Sequence, residues 1–325
     1  MLSQPFAIAT SPDAVTHPPA SIEYLVDRIF RALAWAAAAL LIVLVAYILW
    51  KIGGQAMPAI QKYHFTFLIS SQYNVQELKF GILPGIWGTL YSSLLALLIG
   101  GFFGLTVAIF LTQGFLPPRL AFVFRLIIDM LAAIPSVVFG LWGIFVVIPV
   151  IRPAANWLNE YLGFIPFFGT SLSGPGLLPA AIVLAIMVLP TVAAISQDAL
   201  NSVPYRTKEA AYGMGATLWE VILKVMVPTA AGGIFSAMVL GFGRALGETM
   251  ALAMLIGNAN QVSLSLFAPA ETLAALLASH FPEAGPAEVE VLMYAALVLL
   301  AITLVVNVAG IGLLTLTQRN ISGKA

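Results

Sequence analysis

Residues 197–228 read "QDALNSVPYRTKEAAYGMGATLWEVILKVMVP", a polar, helix-patterned stretch set between two long apolar runs. It is longer than a connector needs to be, and it reads as two short helices. Pro204 can start the first, where its missing N–H costs nothing, and Glu209, Ala210 and Ala211 continue it. Gly213 and Gly215 permit the left-handed backbone that ends a helix. Thr217 then caps the second helix, with Glu220 three positions on completing a capping box. Leu218, Val221, Ile222 and Val225 form one apolar face, and Pro228 closes the segment.

The flanking runs identify the solvent. The chain of 325 residues is 61% hydrophobic and 9% charged, where a soluble domain is about one quarter charged. Its length is therefore counted in membrane spans of about 20 residues. Residues 33–50, "LAWAAAALLIVLVAYILW", hold no charge and extend about 27 Å as a helix, enough to cross a hydrocarbon core. Further spans are expected at 85–111, 131–151, 177–197, 229–257 and 290–316, giving an all-α integral membrane protein with six transmembrane helices. Ahead of them, residues 1–20 read as a mobile tail with no secretory signal. Residues 21–32 carry an apolar stripe opposite Glu23, Asp27, Arg28 and Arg31, which suggests an interfacial helix. The six-span domain then occupies 33–316, with the polar loop at 198–228, and 317–325 form a short tail.

Basic residues set the orientation, because positively charged loops resist translocation. One side receives nine (Arg28, Arg31, Arg119, Arg125, Arg206, Lys208, Lys224, Arg319, Lys324) and the other four (Lys51, Lys62, Lys79, Arg152). Both termini and the 198–228 loop are thus placed in the cytoplasm. The external segments are 51–84, 152–176 and 258–289. Glu271, Glu283 and Glu288 in the last of these read as a solvated loop. "FIPFFG" (164–169) and "SGPGLL" (173–178) are candidates to dip back toward the membrane, where irregular backbone must be buried in protein or line a cavity. No internal repeat is visible. A net charge of +0 gives no bulk field for nucleic acid or anionic lipid, and the absence of cysteine excludes disulfides, thiolate metal sites and a cysteine nucleophile.

Two charges stand inside the fifth apolar run, in "GFGRALGETMALAM" (241–254). Each costs about 2.5–3.5 kcal/mol near the centre of a span, so function or pairing must offset it. Arg244 and Glu248 are four residues apart, on one face of a continuous helix and within reach of each other. Gly243 and Gly247 offer a second face for close helix approach. Two readings stand: a structural ion pair, or a water-accessible path where the arginine meets an anion and the glutamate limits how tightly it binds. "GFGRALGET" lacks the lysine of a phosphate-binding loop and lies inside an apolar helix. His17, His64 and His280 are scattered and read as loop residues, so no hydrolytic or metal constellation is formed.

The spacing of "EAA" (209–211), Gly215 and "VMVP" (225–228) resembles the EAA loop of bacterial ABC importer permeases, with Val225 and Val227 in place of the family's Ile and Leu. "GFGRALGETMALAMLIGN" (241–258), "FGILPGIWGTLYSS" (80–93) and "LAAIPSVVFGLWG" (131–143) are similar to the phosphate-importer branch of that family. The resemblance implies a MetI-like permease fold in the bacterial inner membrane. It also implies that the chain is not itself an enzyme and holds no cofactor, ATP and Mg being bound by a partner. The implied partners are a sister permease subunit in a heterodimer, two ATPase subunits and an external phosphate-binding protein. It implies too that Arg244 and Glu248 line the substrate path, and that Glu209, Ala210, Ala211 and Gly215 form the coupling element. A sister-type subunit, a permease for sulfate or molybdate, and a gradient-driven phosphate transporter are the alternatives.

Overall fold

The computed structural model describes the backbone of residues 21–322 and the side chains of residues 24–315. The expected tail at 1–20 and the last three residues lie outside this range. Eleven principal helices are described: α1 (Ser21–Tyr63), α2 (Leu83–Thr112), α3 (Pro118–Ala133), α4 (Ser136–Leu162), α5 (Leu177–Asn201), α6 (Tyr205–Gly213), α7 (Leu218–Thr229), α8 (Ala231–Leu246), α9 (Met250–Leu255), α10 (Leu273–His280) and α11 (Pro286–Ser322). Five of them are long and apolar enough to cross a membrane, and six spans result when α7 and α8, bent by 69°, count as one. An all-helical answer follows from the solvent, since lipid offers no partner for a backbone N–H or C=O.

The chain divides into two units at Gly54. In the first, α1 carries exposed apolar side chains around its whole circumference from Tyr24 to Trp50. No break sets residues 21–32 apart from the apolar run that follows, and the helix continues through Gly53, Gly54 and Pro58 to Tyr63. The expected separate interfacial helix is thus the first part of one long helix.

The second unit is organised on α5, most of whose residues are buried. Glycines on α2 bring its backbone against α5: a Cβ at Gly100 would meet the Ala185 carbonyl, and one at Gly104 would lie 3.0 Å from Val192. Gly241 seats α8 on Val188 and Val192 of α5, and Gly310 of α11 seats on Val239 of α8. Two spans differ from the sequence expectation. The third is α4, from Ser136, and contains a π-helical turn at Gly143–Val147; residues 118–133 form a separate helix that stops before Pro135. The pre-proline residue is pushed out of helical geometry, and Ile134 is extended. The fifth is not continuous to 257 but breaks after Leu246. At the C-terminus, helix runs to Ser322, into the segment expected as a tail.

Beyond the helix ends, segments 164–176 and 257–272 are irregular yet tied to one another. Leu266 N–H donates to the Phe167 carbonyl (2.9 Å), Leu178 N–H to that of Leu266 (2.7 Å) and Gly176 N–H to that of Leu255 (2.8 Å). Trp87 and Tyr91, one turn apart on α2, bond the Ser263 and Leu264 carbonyls at 2.9 and 3.0 Å. Irregular backbone here is satisfied inside the protein, as burial requires.

The acidity of the 258–289 segment is not that of a solvated loop. Glu271 and Glu288 are buried, and only Glu283 is exposed. The Glu288 Oε1 accepts from the Tyr73 hydroxyl (2.7 Å) and lies 3.1 Å from Nδ1 of His280, which ends α10 rather than standing in a loop. Burial pushes the Glu271 carboxyl up from its ordinary value, and nearby His280 opposes the rise. The Tyr73 hydroxyl is raised by burial first and by its bond to Glu288 second.

Two outcomes are expected. Gly88 on α2 leaves no room for a Cβ against the Glu271 carbonyl, whereas Gly285 faces open space. Gly88→Ala should therefore destabilise the protein by about 1–3 kcal/mol and Gly285→Ala by much less, read as thermal stability in detergent. Glu271 has a folded-state affinity for protons above that of the unfolded chain, so it lowers stability as pH rises through its raised value. Glu271→Gln should raise the melting temperature at neutral and alkaline pH, with the gain vanishing below the ordinary carboxylate range.

Candidate functional site

The break in the fifth span decides how the two intramembrane charges are used. Gly247 ends α8, Glu248 and Thr249 are non-helical, and α9 starts at Met250. The freed backbone groups are satisfied locally: Glu248 N–H donates to the Ala245 carbonyl (3.4 Å) and the Thr249 hydroxyl to that of Gly247 (3.2 Å). Because the helix stops between them, Arg244 and Glu248 no longer share one face. Among the described residues no ion pair joins them, which corrects the expectation that they reach each other.

Each has its own role at the break. Arg244 lies in the last turn of α8, where a cation complements the helix dipole, and Nη1 donates to the Thr191 hydroxyl of α5 at 3.0 Å. Glu248 precedes α9 and its Oε1 accepts from Ala251 N–H at 3.5 Å. Arg244 is exposed and Glu248 half-buried. An arginine left facing hydrocarbon would cost about 2.5–3.5 kcal/mol, so the exposed face of Arg244 belongs against another chain or a watery path. Thr191 carries no local signal in the sequence, where it is one of two hydroxyl residues, with Ser196, in the apolar run 177–197. Of the two glycines beside these charges, Gly243 meets Asn307 of α11, but Gly247 contacts only its own helix.

The 198–228 loop forms as its residues dictate. Pro204 precedes α6, and Gly215 takes φ +85° in the turn, while Gly213 stays helical as the last residue of α6. The Glu220 carboxylate accepts from Thr217 N–H (3.1 Å) and hydroxyl (3.0 Å), and Lys224 donates to it at 2.9 Å. Within α7 the backbone is π-helical from Val221 to Met226, for which the sequence holds no signal. Glu209 and Ala210 are exposed, but Ala211 is buried with Leu200, Val203, Val221, Ile222, Met226 and Ile234. Ala211 therefore holds the loop to the body. Tyr205, Tyr212, Met214 and Trp219 are exposed apolar side chains of the same loop that the sequence pattern did not single out.

Comparison with known proteins places the chain. Residues 100–323 match the model of the binding-protein-dependent transport system inner membrane component family, and the chain belongs to that family. It is a multi-pass inner-membrane permease component, in a class of systems whose ATPase is a separate subunit. Within the family it is similar to the phosphate transport system permease protein PstC of Mesorhizobium japonicum, 39% identical over 87% of this chain and 88% of that protein. It is likewise similar to PstC of Xylella fastidiosa (39%; 90% and 92% covered) and of Haemophilus influenzae (36%; 90% and 95%). The fold is shared with a bacterial alginate ABC transporter chain (TM-score 0.59, 16% identity, 89% and 98% covered) and with the MetNI methionine ABC transporter (0.52, 21%, 72% and 94%).

Gly215 has open space where a Cβ would go, so its constraint is purely conformational. Gly215→Val should cost about 1–2 kcal/mol in the turn, and Gly215→Asn far less, since Asn tolerates the left-handed region. Amide hydrogen exchange across residues 205–229 checks this: faster exchange is expected in the Val variant and near-normal exchange in the Asn variant.

Proposed function

We propose that this chain is the phosphate-translocating permease subunit of an ATP-driven importer, with Arg244 and Glu248 on the substrate path. One observation carries the reading: the helix break leaves Arg244 exposed and unpaired with Glu248. A planar fork of donors suits a tetrahedral oxyanion, and one of its N–H groups is anchored on Thr191 while others remain for a ligand. Similarity to PstC proteins favours phosphate over sulfate or molybdate. Glu248, held at the start of α9, limits the residence of the anion by repulsion. The partners are a PstA-like permease completing a heterodimer, two PstB-like ATPases and a PstS-like external phosphate-binding protein. Glu209, Ala210 and the exposed Met214 and Trp219 dock on the ATPase, with Ala211 and Gly215 fixing the shape of the loop.

Uptake of labelled phosphate by the reconstituted complex tests this. Arg244→Gln should abolish import without preventing assembly, and Arg244→Lys should retain little, since an ammonium loses the planar fork. Removing both charges separates path from scaffold: Arg244→Leu/Glu248→Leu should assemble and still fail to import. Wild-type import by that double variant, in a complex shown to be intact, would refute the assignment of the path.

A further inference from the structure

A cavity of about 160 Å³ opens between α3 and α5, away from the helix break. Arg125 and Asp129 line it from successive turns of α3, and Gln197, Asp198 and Asn201 line it from the last two turns of α5. Among the described residues none of these five side chains makes a hydrogen bond or ion pair within the chain, although opposite charges face one space. Gln197 is the telling member. It is 6% exposed, it lines the cavity, and its amide has no partner among the described residues. The side chain is largely buried while its amide stays open, which leaves the amide available to a group that enters the cavity.

The charges select the occupant. A free oxyanion would meet Arg125 but also two aspartates, and a bare cation would meet the aspartates but also an arginine. A ligand carrying both a phosphate and an ammonium a few ångströms apart satisfies every group. Asn201 is the final residue of a membrane-spanning helix, so the cavity sits at the depth of lipid headgroups. Next to it, α3 exposes Phe122, Phe124, Leu126, Ile127 and Met130, a surface suited to acyl chains. Its volume is several times the share of one water, about 30 Å³. We propose that this cavity binds the headgroup of a zwitterionic phospholipid of the phosphatidylethanolamine type. The phosphate sits on Arg125 with the Gln197 and Asn201 amides, and the ammonium sits between Asp129 and Asp198.

Native mass spectrometry of the full complex, released from vesicles of equal phosphatidylethanolamine and phosphatidylglycerol, tests the proposal. Wild type should retain phosphatidylethanolamine in excess. Asp129→Asn/Asp198→Asn removes the ammonium site but keeps Arg125, and should invert the preference toward phosphatidylglycerol; Arg125→Gln should lose the bound lipid. An unchanged lipid ratio in the double variant would overturn the proposal. Added inorganic phosphate should not displace the lipid, and displacement would make the cavity an oxyanion site instead. Lipid retained by the separate chain but absent from the assembled complex would assign the cavity to a subunit interface and equally overturn it. Should the variants fail to assemble, wild type in vesicles of equal phosphatidylethanolamine and phosphatidylcholine carries the test, because the latter's ammonium has no N–H: preference for phosphatidylethanolamine is expected, and equal retention refutes it.

Discussion

Between helices in lipid, apolar side chains gain nothing by leaving their solvent, so association depends on how closely two backbones approach. In this chain that approach is made by the glycines of α2. Gly100 and Gly104 lie against the Ala185 carbonyl and Val192 of α5, while Gly85 and Gly88 on the same helix meet Leu273 and the Glu271 carbonyl. One helix face therefore fixes both the central helix pair and the entry of the irregular external segment into α10. The remaining helices hang from this pair in sequence, α8 on α5 through Gly241 and α11 on α8 through Gly310.

That frame makes a broken helix tolerable. Interrupting a span exposes backbone groups that lipid cannot satisfy, and here each interruption supplies its own partners. At residues 247–249 the arginine ends one helix and the glutamate begins the next, so each charge complements a helix terminus without being neutralised by the other. The pattern shows how an arginine and a glutamate are accommodated in an apolar run without pairing with each other. The external segments solve the same problem differently, with side-chain donors from α2 and backbone bonds between the segments themselves.

The legible parts of the sequence were those carried by neighbours along the chain. The polar loop at 198–228 announced its helices through Pro204, Gly215 and the Thr217–Glu220 box, and these stand where their local chemistry placed them. The apolar runs located the helices, though not their interruptions: Gly53, Gly54 and Pro58 look like stop signals and are crossed by α1, whereas "GET" at 247–249 contains no proline and breaks a span. Burial of acids was hidden for another reason. Glu288 is bonded by Tyr73, 215 residues away, and no local pattern reports a partner at that distance. The cavity beside Gln197 was hidden likewise, since α3 and α5 meet only after folding.

The bend and the break divide the fifth span into pieces seated on different neighbours. α7 and α8 join at Ala230, with Ala211, Ile222, Met226 and Ile234 packed in one core around the joint. The 198–228 loop is thus packed against the start of α8, whose last turn carries Arg244. α9 is held elsewhere, by α4, where Gly140 and Gly143 leave no space against Met254 and Leu255. Between a helix tied to the loop and a helix tied to α4 stand three residues with only local hydrogen bonds, 247–249. Among the described residues no hydrogen bond from beyond α8 and α9 holds this stretch, so the spacing of Arg244 and Glu248 is set by where α8 and α9 are packed. A continuous helix would fix that spacing by its own geometry as an i to i+4 pair, whereas the break leaves it to the separate seats of α8 on α5 and of α9 on α4.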